Sequence, residues 1–312
     1  MVTISELRPG RKAPTPPTRI RIKPSRGYRV FQAVNAVILI GVVVVTLYPF
    51  VNILAQSFSS ESAIRQGTVN LIPHGFNLTT YKTVMKDSMF WRNYRNTVEY
   101  TVVATLISMV LTTCYAYVLS KHQLKGRGVL IGIAVFTMFF NGGLIPNYVL
   151  VSQLGLRNTI WAIVLPNAIN VFNLLVMKAF FESLPSELEE AAAVDGLTTY
   201  GILWRIVLPL SKAVIATMIL FYAVSFWNSW FSAFLYMDRS ELFPVTVYLR
   251  NLIAGATGAG GMNEGTSSDT ALQVAANVQA VTVVLTVIPI LTLYPFIQKY
   301  FVSGVMLGAV KG

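Results

Sequence analysis

The sequence lacks nearly everything a soluble enzyme or a metalloprotein needs. Its single cysteine, Cys114, can form neither an internal disulfide nor a thiolate cluster. The two histidines, His74 and His122, fall in separate polar segments, so no metal site and no histidine-based catalysis are expected. Charge is scarce as well. Only 12% of the 312 residues are Asp, Glu, Lys or Arg, about half the roughly 25% of a soluble globular chain. So few charges cannot cover a surface that faces water on all sides. No G-x-x-x-x-G-K-[ST] run occurs, so nucleotide binding through a phosphate loop is not expected. The apolar stretches hold no paired acids and no nucleophile beside a base, which argues against an integral-membrane enzyme.

What the chain has in abundance is apolar surface: 54% of its residues are hydrophobic and its mean hydropathy is +0.60. A helix needs about 20 mostly apolar residues to cross roughly 30 Å of hydrocarbon. Six stretches meet that length: Phe31 to Ala55, Asn96 to Ser120, Val129 to Val151, Ile160 to Phe180, Ala213 to Leu235 and Asn277 to Ile297. The expected fold is therefore an all-α, multi-pass membrane protein with a helical domain over residues 31–312. Residues 1–30 are basic and carry Pro9, Pro14, Pro16, Pro17 and Pro24, a composition that reads as a disordered tail. The formal charge of +11 fits the positive-inside bias of membrane loops better than a nucleic-acid partner. With six spans, 16 of the 24 basic residues fall on the side that holds both termini, which places both ends in the cytoplasm.

Ionisable groups inside the six stretches are limited to Glu99 and Lys178, both near an end, where a side chain can reach the interface. A proton- or sodium-coupled secondary transporter normally needs a carboxylate at mid-depth or an unwound helix in its place. Uphill transport by this chain therefore requires an outside source of energy. The intramembrane polar groups are neutral. Asn141, Gly142, Gly143, Pro146 and Asn147 interrupt the third stretch, Pro166, Asn167, Asn170 and Asn173 line the fourth, and Tyr222, Trp227, Asn228 and Trp230 mark the fifth. The amides at 167, 170 and 173 recur every three residues and are expected on one helical face. Such groups either bond between helices or line a path for a hydroxyl-rich solute; Asn141, Asn170, Trp227 and Asn228 are the candidates for solute contact.

The connection 182–212 breaks the charge trend, with five acids against two bases. It reads as two short amphipathic helices. Ser186 and Glu189 have capping-box spacing for the first, Gly196 is placed to end it in a left-handed turn, and the second starts near Thr198. Tyr200, Leu203, Trp204 and Val207 form an apolar stripe on the second helix, and Pro209 ends it. The alanine ridge at Ala191, Ala192 and Ala193 allows close approach of another backbone, as a docking surface requires.

Glu190-Ala191-Ala192, Asp195-Gly196, nine further residues and then Ile206-Val207-Leu208-Pro209 match E-A-A-x(2)-D-G-x(9)-I-x-L-P. That string on a cytoplasmic loop resembles the EAA loop of ATP-binding-cassette importer permeases. Leu47-Tyr48-Pro49-Phe50, Ala116 to Lys121, Lys125-Gly126-Arg127, Trp227-Asn228 and the ending Gly304 to Gly312 are similar to the carbohydrate class, in particular its maltose-type second permease. Phe139 to Pro146 resembles the branch for oligosaccharides such as aldouronates.

The resemblance implies a type I importer fold and the role of a transport subunit, not an enzyme. It also implies a second, nonidentical permease, two subunits that bind ATP and magnesium in this chain's stead, and an extracytoplasmic sugar-binding protein, all at a bacterial plasma membrane. Glu190, Ala191, Ala192, Asp195, Gly196, Ile206, Leu208 and Pro209 would then couple the bundle to the ATPase. The outer loop Ala254 to Ser268 would be a candidate to enter the binding protein's cleft. Amino-acid, phosphate and metal importers share the loop, so a non-sugar solute and a secondary transporter are the alternatives. The uncharged path favours a neutral or weakly charged solute.

Overall fold

The computed structural model describes residues 25–256 and 277–292. Most of the basic tail, most of the outer loop from Ala254 to Ser268, the ending Gly304 to Gly312 and the close of the sixth apolar stretch lie outside the described residues. Among those described, the regular elements are all helical.

Contacts divide the chain into Met1–Phe50 and Val51–Gly312. The first unit contributes most of α1 (Arg26–Ser57), whose 32 residues span about 48 Å at 1.5 Å per residue, more than the hydrocarbon core requires. Residues 25–50 are exposed throughout, as an apolar helix made for lipid or for another helix would be. Pro49 sits inside it, where the missing N–H is tolerable because a membrane helix can satisfy the freed carbonyl by other means.

In the second unit, Asn52 at the end of α1 donates to the Asn70 carbonyl at 2.8 Å. The short helices α2 (Glu61–Arg65) and α3 (Thr79–Lys86) follow, with Phe58 stacked on Phe76 and Tyr81 between them. The central element is α4 (Ser88–Ser120), begun by Asp87, whose carboxylate accepts the Met89 N–H at 2.8 Å. Its buried stripe runs through Thr97, Thr101, Ala104, Thr105, Ser108, Thr112 and Ala116. These small side chains repeat at three- and four-residue intervals, so backbones can approach closely along that face, and α8 and α12 pack there.

The remaining apolar stretches are broken. The third becomes α5 (Arg127–Phe139) and α6 (Leu144–Gln153), bent by 112°. Gly143 at the break has φ +92° and ψ 171°, a conformation open essentially to glycine alone. The fourth becomes α7 (Trp161–Val164) with a 3₁₀ turn over Leu165–Asn167, then α8 (Val171–Glu182), bent by 52°. The expected single face for Asn167, Asn170 and Asn173 is therefore not formed. Asn170 instead begins α8, its Oδ1 accepting the Asn173 N–H at 3.1 Å, because a short amide side chain favours capping over a mid-helix position.

The loop that follows contains α9 (Ser186–Val194), α10 (Thr199–Ile202), a π turn over Leu203–Val207 and α11 (Leu208–Leu210). The fifth stretch becomes α12 (Lys212–Trp227) and α13 (Trp230–Tyr236), separated at Asn228–Ser229. After α14 (Val245–Ala256), the sixth is represented by α15 (Asn277–Thr292). By length and composition, α1 and α4 can each cross a membrane alone, and three bent pairs reach the length jointly.

Candidate functional site

The 182–212 loop folds as two helices around a tight reversal. Its first helix, α9, starts at Ser186 after Pro185, and the expected capping box does not form: no side chain caps this end. Glu189 is engaged elsewhere, paired with Lys121. The reversal itself is as expected. Gly196 has φ +84°, its N–H donates to Ala193, and the Leu197 N–H donates to Ala192. Only glycine adopts that left-handed turn without steric penalty. Thr198 then caps α10, its hydroxyl accepting the Gly201 N–H at 3.3 Å.

The apolar stripe of the second helix divides. Ile202, Leu203 and Val207 are buried against the bundle, whereas Tyr200 is 78% and Trp204 68% exposed. The π turn inserts one residue into the helical register and so alters which side chains share a face. Glu190, Ala191, Asp195, Gly196 and Pro209 are exposed, Ala192 is buried, and Ile206 and Leu208 are half-buried. Hence the loop offers an outer surface of Glu190, Ala191, Tyr200 and Trp204 while Ala192 and Val207 hold it to the bundle. After Pro209 the chain turns by 85° into α12.

The inner side of the loop is tied by charge. Lys121 at the end of α4 pairs with Glu189 and lies 4.1 Å over the Tyr117 ring. Arg127 pairs with Glu182, and its Nε donates to the Leu119 carbonyl at 2.7 Å, which satisfies a free carbonyl at the end of α4. Lys178 also donates to Glu182, at 2.8 Å. Partial burial pushes the Glu182 carboxyl up, but the Lys178 hydrogen bond and the charges of Lys178, Arg127 and His122 outweigh it and hold the group below its usual range. In the sequence Lys121 and Arg127 register as basic residues beside a span and as part of the segments similar to the carbohydrate class, not as partners of the 182–212 loop. The available signal is the excess of acids in the one loop that could face that basic run.

Two open cavities lie along the broken helices. One, of about 650 Å³, is lined by Asn141, Gly143, Asn147, Asn167, Ser232 and Tyr236 among apolar neighbours. The other, of about 750 Å³, is lined by Asn167, Asn170, Asn173, Tyr222 and Ser225. Asn167 and Pro166 belong to both, and among the described residues neither lining contains Asp, Glu, Lys or Arg. Asn141 holds the break in its cavity: its Oδ1 accepts the Gly143 N–H at 2.9 Å and the Asn147 amide at 3.2 Å.

The structure thus places Asn141 and Asn170 in different cavities and brings Trp227 and Asn228 to neither. Trp227 is buried edge-on to Tyr94, and Asn228 bonds back to the Val224 carbonyl at the end of α12. Tyr222 carries more structure than its sequence suggests. Its hydroxyl bonds Thr112 of α4 at 2.6 Å and accepts the Asn170 N–H at 3.0 Å, joining three helices.

At the far end of the first cavity, Tyr148 stacks on Tyr236. Arg157 and Asn158 bind Asp238, each at 2.9 Å. The Asn158 amide, followed by the Arg157 charge, holds the Asp238 carboxyl below the usual range.

Residues 128–307 match the model of a family described as "Binding-protein-dependent transport system inner membrane component". The chain is 41% identical over 286 residues to Protein LplC of Bacillus subtilis, covering 91% of this chain and 96% of that one. It is 40% identical over 286 residues to the polygalacturonan/rhamnogalacturonan transport system permease protein YtcP of the same organism, covering 91% and 99%. Among solved structures, it is similar to a chain of a bacterial ABC transporter involved in the import of the acidic polysaccharide alginate. The TM-score is 0.80, with 35% identity over 90% of this chain and 99% of that one.

Proposed function

The chain belongs to the family of binding-protein-dependent transport system inner membrane components, and on that premise we propose how it moves its solute and which solute that is. As a member it is a permease component of an ATP-binding-cassette importer with the type I fold. It works within a membrane complex and is a transport subunit, not an enzyme.

The solute in our reading is an oligosaccharide that contains uronate units. One observation carries this: among the aliphatic side chains of the two cavities the polar groups are amides and hydroxyls, and none of the described lining residues is acidic. Amides donate to carboxylates as readily as to sugar hydroxyls, and no buried carboxylate repels an acidic sugar. The polygalacturonan and alginate transporters that the chain resembles support the same class.

We read the chain as six spans with both ends cytoplasmic, each broken pair outside the 182–212 loop crossing once. A second, nonidentical permease completes the pore, since this chain supplies one EAA loop. Two partner subunits bind ATP and magnesium and grip the outer surface of α9 around Glu190, Ala191 and Gly196, with Ile206, Leu208 and Pro209 setting the exit into α12. Closure of those subunits on ATP draws the two loops together and rocks the bundle open toward an extracytoplasmic binding protein; hydrolysis reverses it. The site is the plasma membrane of a bacterium.

The test is reconstitution of this chain with its second permease, ATP-binding subunits and binding protein in proteoliposomes. Oligogalacturonate and alginate oligomers should be taken up and should stimulate ATP hydrolysis, with neutral maltooligosaccharides inactive. Uptake of the neutral sugars alone would refute the uronate reading, and uptake of none would refute the sugar class.

A further inference from the structure

We propose that Lys121 and Arg127 are positioning residues for coupling: through Glu189 and Glu182 they tie the coupling helix α9 and the end of α8 to the central helix α4. The inference rests on the coupling role given above to α9 and adds the route by which its movement enters the bundle.

The geometry brings four helix ends to one place. Lys121 closes the C-terminus of α4, Arg127 opens α5, Glu182 ends α8 and Glu189 lies on α9. A cavity of about 460 Å³ sits among them, lined by Tyr117, Lys121, His122, Glu182, Glu189 and Ile202. The ionic side chains are only 14% to 34% exposed. At that depth an ion pair loses less to water than a surface pair does, and removal of one partner strands the other.

These links differ in kind from the rest of the attachment. The apolar contact that α9 itself makes with the core is through Ala192, a side chain of one methyl group. Within helices, α9 packs most against α10, its own companion in the loop. Long ionic side chains therefore provide reach that the alanine ridge cannot. Arg127 extends the link, since the same guanidinium that pairs with Glu182 also bonds the Leu119 carbonyl of α4. Lys178 shares Glu182 and neutralises it from within α8. Cations beside the C-terminus of α4 are also favoured by its helix dipole.

Adjacent residues on a helix point about 100° apart. Glu189 is directed to Lys121, while Glu190 is exposed on the surface assigned to the motor. The same turn thus carries one carboxylate tied to the bundle and, beside it along the same cavity, an exposed one. A push on Glu190 from outside is delivered to α4 by its neighbour, and α4 is the helix against which α8 and α12 are packed.

The experiment uses the whole reconstituted complex with Lys121→Glu, Glu189→Lys and the two combined, and reads sugar taken up per ATP hydrolysed together with copurification of the ATP-binding subunits. Each single reversal should lower that ratio about tenfold, within the range of coupling energies between sites, while the subunits still copurify. The double reversal should restore the ratio. A merely structural contact would change yield or thermal stability and leave the ratio intact. Unchanged ratios in the single variants, or no recovery in the double, would overturn the proposal. If a reversal prevents insertion, Glu189→Gln takes its place, and a wild-type ratio in that variant would likewise overturn it. Failure of the coupling assignment itself has a different signature: the wild-type complex would then transport without ATP or fail to hold the ATP-binding subunits.

Discussion

Lys121 and Glu189 form an ion pair across 68 residues of sequence, and the residue next to Glu189, Glu190, is exposed. The pair accounts for one of the five acids that set the 182–212 loop apart. Two of its carboxylates, Glu182 and Glu189, face bases of the bundle, which leaves Glu187, Glu190 and Asp195 exposed at the surface. The loop is held to the bundle by charge and by the buried Ala192, Ile202, Leu203 and Val207, and it presents aromatic and acidic groups outward.

Substitution on the outer surface should uncouple the transporter without unfolding it. Glu190→Lys and Gly196→Pro are expected to abolish uptake by the complete complex while its membrane insertion stays normal. Gly196→Ala should be milder. No atom lies within 4 Å of the added methyl, so the penalty is the left-handed backbone alone, about 1–2 kcal/mol. Uptake assays paired with quantification of inserted complex check both; full activity in the first two variants would contradict the coupling assignment.

The Glu182 carboxyl has its folded pKa depressed, so its ion pairs stabilise the fold above the unfolded value of about 4.3. That contribution is lost as the pH falls through the folded pKa. Thermal unfolding of the detergent-solubilised chain should therefore show wild type more stable than Glu182→Gln at pH 7, with no change down to about pH 5 and a narrowing gap below about pH 4.3. A gap that opens on acidification would contradict this sign.

Tyr222→Phe removes a buried hydroxyl that bridges the Thr112 hydroxyl and the Asn170 backbone N–H. Leaving two such groups without a partner typically costs about 1–3 kcal/mol each. The variant should unfold at a lower temperature and should bind solute more weakly in a complex that still assembles, because Asn170 and Tyr222 line the same cavity. Equal thermal stability would show that the hydroxyl's bonds are replaced by water.

Much of this was legible in the sequence. Hydropathy alone marks the apolar stretches, and a glycine fit for a left-handed turn locates the reversal at Gly196 and the second helix near Thr198, since both depend on local backbone chemistry. What fails is anything set by competition between local choices. Ser186 and Glu189 have capping spacing, yet Glu189 has a stronger tertiary partner in Lys121. Asn167, Asn170 and Asn173 have helical spacing, yet Asn170 caps a new helix. The role of Lys121 and Arg127 was hidden because a basic residue beside a span already has an explanation in membrane orientation. The shared position of Asn167 between two cavities depends on a bend that composition does not reveal.

Asn167 therefore offers the sharpest test of the path. Asn167→Leu keeps the branched outline of the side chain but removes the amide common to both cavities. Loss of hydrogen bonds to a polar solute should raise the concentration for half-maximal uptake about tenfold, from roughly 1–1.5 kcal/mol, with ATP-binding subunits still attached. An unchanged half-maximal concentration would remove Asn167 from the solute path.

In the proposed mechanism the bundle stores no driving force and is moved by a separate motor gripping the 182–212 loop. That mechanism is tested most directly by loading proteoliposomes with the two permeases, with and without the ATP-binding subunits, and measuring accumulation of radiolabelled oligogalacturonate delivered by the binding protein. Accumulation above the external concentration is expected only when those subunits and ATP are both present. Accumulation against a gradient by the permeases alone, driven by a proton or sodium gradient, would contradict it.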